Sequence, residues 1–298
     1  MLRKLFVALL LVAGIAQAEE YKMIIPYAAG SQADVASRII IKNFEKLTGD
    51  KILIELAPGA DSVIGINQFK NSKADLIFLG SSASIYAPVV KKDLPYDPDV
   101  DFDRILYVGT APAVWFTRPG TNIKTTGDLV NHLSPFVGTN ASHGTANVAA
   151  INKEKGTKSE IVLYKGSPET ITAVIGGSID LGIVNPTSAM IELAKAGKIT
   201  LVGSTYHNDI SIDGVPIPSV SKRVKLHQFN GSTEIAARPG MDPARLEKLR
   251  QGLWAAVKDS ETQEKLRSIF IMPDATIDQR WIINNTREIR ERFNRYSK

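Results

Sequence analysis

Three short stretches concentrate groups able to hold a polar solute: Tyr27 to Asp34 (YAAGSQAD), Gly80 to Ser84 (GSSAS) and Asn140 to Asn147 (NASHGTAN). Small side chains let a ligand approach the main chain. Hydroxyls and amides add hydrogen bonds without formal charge. Each stretch follows an apolar run, so its donors sit where a strand gives way to a turn. In the first, Met23 to Ile25 form a strand and Pro26 stops it by lacking a ladder donor. Asp34 then falls at or just inside the N-terminus of a helix carrying Val35, Ile39 and Ile40 on one side. Free N–H groups and the positive end of the helix dipole suit an anion such as a carboxylate. The same residues also read as an ordinary tight βα connection.

The pattern gives little support to catalysis. The four histidines, His132, His143, His207 and His227, are scattered, with no H-E-x-x-H spacing. His143 beside Ser142 is no triad, because adjacent loop residues rarely meet in the required geometry. No G-x-S-x-G, Walker A or G-x-G-x-x-G occurs. His143 reads as a surface or cleft hydrogen-bonding residue. Tyr164 either stacks in a cleft or caps the core, and Trp115 and Phe116 read as core or hinge packing. No metal ligand set or cofactor is expected.

The elements that must position these stretches alternate between strand and helix, which makes the chain α/β. Asp75 to Leu79 (DLIFL) is continuously apolar after its first residue, as a buried parallel strand should be. Arg3 and Lys4, the apolar run Leu5 to Ala13 and Ala16-Gln17-Ala18 together read as a signal peptide, residues 1–18, cleaved before Glu19. With no cysteine there is neither a disulfide nor a lipid-anchored cysteine, which fits a bacterial periplasm. Loss of Arg3 and Lys4 from 36 basic and 31 acidic residues leaves a net charge near +3. No basic stripe interleaved with aromatics appears, so nucleic acid is not an expected partner.

Ligands of open α/β sheets bind beyond the carboxyl ends of the strands. Those ends are Ala29 to Asp34, Pro58 to Asp61 and Ser81 to Ser84 in one half, and Asn140 to Asn147, Tyr164 to Ser167 and Asn185 to Ser188 in the other. An internal echo divides the halves. Val114 to Gly120 and Glu234 to Gly240 are each a strand, then Arg-Pro-Gly, then a helix. A chain that crosses between domains and later returns would need two such segments. The expected division is 19–115 with 236–298, and 116–235 between them.

IIPYAAGSQADVASR, APGADSVIG, LPYDPDVDFDRILYVGTAP and YKGSPETITAVIGGSIDLGIV together resemble the substrate-binding proteins of tripartite tricarboxylate transporters, over nearly the whole mature chain. The resemblance implies a two-domain periplasmic-binding-protein fold, type II-like, with a hinge and an interdomain cleft. It implies a non-enzymatic receptor, expected to be a monomer, for a small carboxylated solute delivered to a membrane permease. A sensor subunit signalling to a membrane kinase would share the fold. The implied ligand residues are Tyr27, Ala29, Gly30, Ser31, Gln32 and Asp34; Gly59 and Asp61; Ser81, Ser82 and Ser84; and Asn140, Ser142, Thr145, Asn147, Tyr164 and Asn185. Three departures stand out. The stretch Val148 to Tyr164 is shorter than usual, so a different second-domain pocket is expected. One extra residue precedes Asp34, and Asp61-Ser62 replaces a Gly-Gly. Asp61 near the cleft would disfavour a multiply charged anion, or favour an amine-bearing or hydroxylated ligand.

Overall fold

The computed structural model describes residues 18–60, 62–90, 93–131, 135–224 and 228–296. The expected leader, apart from Ala18, and Asp61 lie outside the described residues. The first half runs β1 (Glu20–Ile25), α1 (Gln32–Thr48), β2 (Lys51–Leu56), α2 (Val63–Asn71), β3 (Leu76–Gly80), a π-helical turn (Ser82–Tyr86) continuing into α3 (Ala87–Val90), and β4 (Asp103–Ala111). The second runs β5 (Val114–Thr117), α4 (Thr126–Asn131), β6 (Phe136–Thr139), α5 (Ser142–Lys155), β7 (Glu160–Leu163), α6 (Ser167–Ile175), β8 (Leu181–Val184), α7 (Ser188–Lys195) and β9 (Thr200–Ser204). A small hairpin of β10 (Ile210–Ile212) and β11 (Val215–Ile217), α8 (Val220–Val224), β12 (Gly231–Ala237), α9 (Pro243–Lys258), α10 (Ser260–Ser268) and α11 (Gln279–Tyr296) follow.

These strands form two five-stranded mixed sheets of matching layout, β2-β1-β3-β12-β4 and β7-β6-β8-β5-β9. In the first, β1, β2 and β3 are parallel and β12 runs antiparallel between β3 and β4. In the second, β6, β7 and β8 are parallel and β5 runs antiparallel between β8 and β9. Each sheet therefore takes as its fourth strand the one that follows a crossing. The crossings are Pro112-Ala113, and a segment ending at Gln228-Phe229-Asn230. Boundaries at 115/116 and 235/236 would cut β5 and β12. The Arg-Pro-Gly echo lies at the far end of each antiparallel strand, one strand after the crossing itself. There Arg118 pairs with Asp180 at 2.8 Å, just before β8. Arg238 Nε donates to the Ala74 carbonyl at 3.0 Å, just before β3. The echo thus marks a structural repeat: an arginine ties the end of the returning strand to the start of its neighbour.

Local chemistry explains the elements that matter for the site. Ser31 N-caps α1, its Oγ accepting from Asp34 N at 3.3 Å. Gly49 ends α1 in the left-handed region at φ 78°, donating to the Glu45 carbonyl. Ala36, Ile40 and Phe44, at i, i+4 and i+8, bury one face of α1 against β1, β3 and α9. The two units also share a small core: Ile85 and Tyr86 from the first, Ala146 and Ala150 of α5, Phe229 of the crossing and Phe293 of α11. Tyr86, Phe229 and Phe293 pack edge to face with centroids 5.3 to 6.4 Å apart.

Candidate functional site

Parallel strands of both sheets, β1 and β3 in one and β6 and β8 in the other, end at one cavity of about 210 Å³. The first unit contributes Tyr27, Gly80, Ser81, Ser82 and Tyr86; the second contributes Asn140, Ala141, Ser142, His143 and Asn185; Gly231 and Ser232 close it from the start of β12. None of these side chains is an acid, a lysine or an arginine. Among the described residues no cluster of three or more His, Cys, Asp or Glu could hold a metal.

Two helical segments begin at this cavity from opposite units. The turn that starts at Ser82 has Ser81 as its N-cap residue, with no side-chain cap. Helix α5 starts at Ser142 behind Ala141, again with no side-chain cap. Alanine is a poor N-cap, and the first N–H groups of a helix have no partner within it. Both helix starts thus turn N–H groups that the helix itself does not satisfy, and the positive ends of their dipoles, toward one uncharged hollow. Glycine makes the approach possible at two points. A Cβ on Gly80 would lie 2.3 Å from the Tyr27 hydroxyl, which accepts the Gly80 N–H at 3.1 Å. A Cβ on Gly144 would lie 2.1 Å from Thr139 Oγ1, so α5 could not start so close to β6 with any other residue there.

Tyr27, Ser81, Ser82, Asn140, Ser142 and Asn185 meet here, as the strand-end argument requires. The Ser167 hydroxyl ties two of them together, 3.4 Å from Asn140 Oδ1 and 3.2 Å from the Asn185 carbonyl. Other expected residues are engaged by the chain itself. The Gly30 N–H donates to Asp34 Oδ2 at 2.8 Å, and Arg38 Nε to Asp34 Oδ1 at 2.8 Å. Gln32 Nε2 reaches the Ile269 carbonyl at 2.7 Å, and Ser31 caps α1. The first loop is therefore a self-bonded brace; with Ala29, these residues lie outside the cavity lining, and Tyr27 is its contribution. Gly59 sits exposed at φ 128° against Ile64. Ser84 is fully buried and bonds back to the Gly80 carbonyl at 3.4 Å. Thr145 lies in the first turn of α5, and Tyr164 packs on the second sheet's core beside Gly138.

Asn147 is the clearest reassignment. It is fully buried. Its Nδ2 donates to the carbonyls of His143 and Phe229, both at 2.7 Å, and its Oδ1 accepts the Phe229 N–H at 2.9 Å. It clamps the second crossing to α5.

Three lining positions escaped the sequence argument. Gly231 and Ser232 open an antiparallel strand, so an N-terminal end reaches the cleft that carboxyl ends were expected to fill; Thr233 pairs with Gly80. Tyr86 is buried on the π-helical turn and donates to the Asn230 carbonyl at 2.8 Å. His143, which the sequence left between surface and cleft, lines the cavity. It is only 6% exposed, and burial pushes its pKa down to about 4, so the imidazole is neutral at pH 7. Larger hollows lie elsewhere: a groove of about 650 Å³ between α1 and α10, and a polar hollow of about 410 Å³ behind the second crossing. Neither stands at the carboxyl ends of parallel strands.

Among known proteins, the chain is 28% identical over 215 residues to a UPF0065 protein of Bordetella bronchiseptica, covering 68% of this chain and 62% of that one. The match thus spans about three-fifths of the relative's length. MatC from Rhodopseudomonas palustris, solved with bound malate, superimposes with a TM-score of 0.73 at 17% identity, over 95% of this chain and 100% of that one. An R. palustris protein solved with adipate gives a TM-score of 0.77 at 18% identity, over 95% and 97%. These likenesses establish the periplasmic-binding-protein fold. The family model described as "Tripartite tricarboxylate transporter family receptor" matches residues 36–288, and the chain belongs to that family.

Proposed function

We propose that the protein is a non-enzymatic periplasmic receptor that closes on a small carboxylate and hands it to a membrane permease. The observation that carries this reading is the meeting of two helical segments, one beginning around Ser81-Ser82 and one at Ser142, across one small cavity whose described lining carries no acid, lysine or arginine. Such a site holds one carboxylate through N–H and O–H donors and bridging water. It offers no acid–base pair for chemistry. The malate and adipate held by the two solved relatives make carboxylates the first solutes to try. We take residues 18–111 with 231–296 as one domain and 114–224 as the other, hinged at Pro112-Ala113 and Phe229. The leader is expected to be removed after Ala18, leaving the receptor in the periplasm. Among the described residues no helix is long and apolar enough to cross a membrane.

Lys165 is the one cation in the candidate loops, and its side chain is exposed. Carboxylate recognition is therefore expected to proceed without a direct Lys or Arg salt bridge. Native mass spectrometry on protein purified without refolding would identify the solute. Calorimetry with it should then show a ten- to hundredfold loss for Ser142→Ala, from about 1–3 kcal/mol for one lost hydroxyl contact, and little loss for Lys165→Ala. The reverse pattern would sink the neutral-donor site.

A further inference from the structure

One polar atom at the cavity is left over. His143 Nε2 is buried and makes no hydrogen bond, although the residue is more than nine-tenths buried and lines the site. A buried polar nitrogen without a partner destabilises the fold, so one kept at a cavity wall points to a group that completes it there. The Asn185 side chain stands beside the ring as a hydrogen-bonding group. A neutral imidazole carries one proton. With that proton on Nδ1, the unpartnered Nε2 presents a lone pair. Among the described residues the cavity lining holds no acid, lysine or arginine; its other ring groups are Tyr27 and Tyr86, and the Tyr86 hydroxyl is committed to the Asn230 carbonyl.

We propose that His143 is the specificity residue of the site, a neutral acceptor that selects carboxylates bearing a hydroxyl or amino group. This rests on the carboxylate-receptor reading above. The carboxylate sits at the helix starts; the hydroxyl or amine donates to Nε2. A second carboxylate would meet a lone pair rather than a donor, and is disfavoured at that wall. The cavity's volume, room for roughly seven waters, suits a solute of a few carbons.

Matched probes test it: propionate, lactate and alanine, then succinate, malate and aspartate, each titrated by calorimetry into the full-length mature protein. Within a series, the hydroxylated or aminated member should bind roughly ten- to a hundredfold tighter than its plain counterpart. His143→Leu should erase that preference, bringing the affinity ratio within each series to about one. Binding of the plain acids as tightly as their hydroxylated and aminated analogues overturns the proposal but leaves the receptor reading intact. Failure of every carboxylate to bind defeats the receptor reading. A measurement on the wild-type protein removes dependence on the variant's folding. Imidazole nitrogen shifts by NMR should show Nε2 unprotonated at pH 7, and a proton on Nε2 would overturn the assignment.

Discussion

Replacing Asn147 by alanine separates two roles that the sequence could not distinguish. As a ligand residue, Asn147 would change affinity and leave stability nearly alone. As the clamp on the second crossing, it does the opposite. The magnitude follows from what it bonds. The His143 carbonyl keeps its α-helical partner when Asn147 is truncated, so little is lost there. The Phe229 N–H and carbonyl are different, because Asn147 takes both, at 2.9 and 2.7 Å, and Phe229 is 1% exposed. Two buried backbone groups left unmet cost about 1–3 kcal/mol each, or roughly 2–6 kcal/mol together. That is a large part of an ordinary domain's stability of about 5–15 kcal/mol. Urea unfolding of Asn147→Ala against wild type reads the loss as a midpoint shift at constant slope. Carboxylate titration on the same samples reads affinity. A stability loss under about 1 kcal/mol, with affinity down a hundredfold, would refute the clamp and restore Asn147 to the site.

Two further expectations concern buried charge. Arg104 and Glu234 face each other at 3.4 Å between β4 and β12, each side chain 1% exposed. Glu234→Leu alone strands the guanidinium and should cost about 3–5 kcal/mol, whereas adding Arg104→Met should recover most of it. Additive losses in the double variant would show that the two charges do not interact. His143 sets a pH dependence. Its pKa falls from 6.5 in an exposed histidine to about 4 in the fold. Above pH 6.5 both states are neutral and the shift costs nothing. Below it the unfolded chain takes a proton that the folded state refuses, so stability falls by about 1.4 kcal/mol per pH unit. The loss ends near pH 4, after about 3 kcal/mol. His143→Gln should lose less stability than wild type between pH 6.5 and 4, and equal losses would contradict a neutral buried ring.

Much of the architecture is legible in the sequence because local and global signals agree. DLIFL is apolar enough to be a central strand, and it is β3, flanked by β1 and β12. Ser31 and Gly49 cap α1 at the positions their types favour. The site is less legible, for a single physical reason. A sequence shows which residues carry donors and acceptors, but not which of those the folded chain itself occupies. Asp34, Gly30, Gln32 and Asn147 have the right chemistry for a ligand and commit it to their own loop, to the C-terminal region and to the crossing. Conversely, Gly231 and Ser232 have unremarkable local sequence. Only the antiparallel insertion of β12 beside β3 brings them to the cleft.

On the proposed reading, the repeat would also explain why neither half suffices as a receptor. Each sheet delivers one helix start to the cavity, at Ser82 and at Ser142, and the two differ in their companions: Tyr27 and Ser81 on one side, His143 and Asn185 on the other. To move a hinged protein from 1:99 to 99:1 in favour of closure, a ligand must bind the closed form better by about 5.5 kcal/mol. A single hydrogen-bonding contact contributes about 1–3 kcal/mol, at the upper end of that range when the acceptor is charged. One helix start with its hydroxyl, two such contacts, gives about 2–6 kcal/mol and meets the requirement only at the top of that range. On the proposed reading, two starts acting on the same carboxylate, with a further contact at His143, would reach it. On that reading closure would be driven only by a solute that touches both walls at once, a condition that favours a small ligand with two chemically distinct ends.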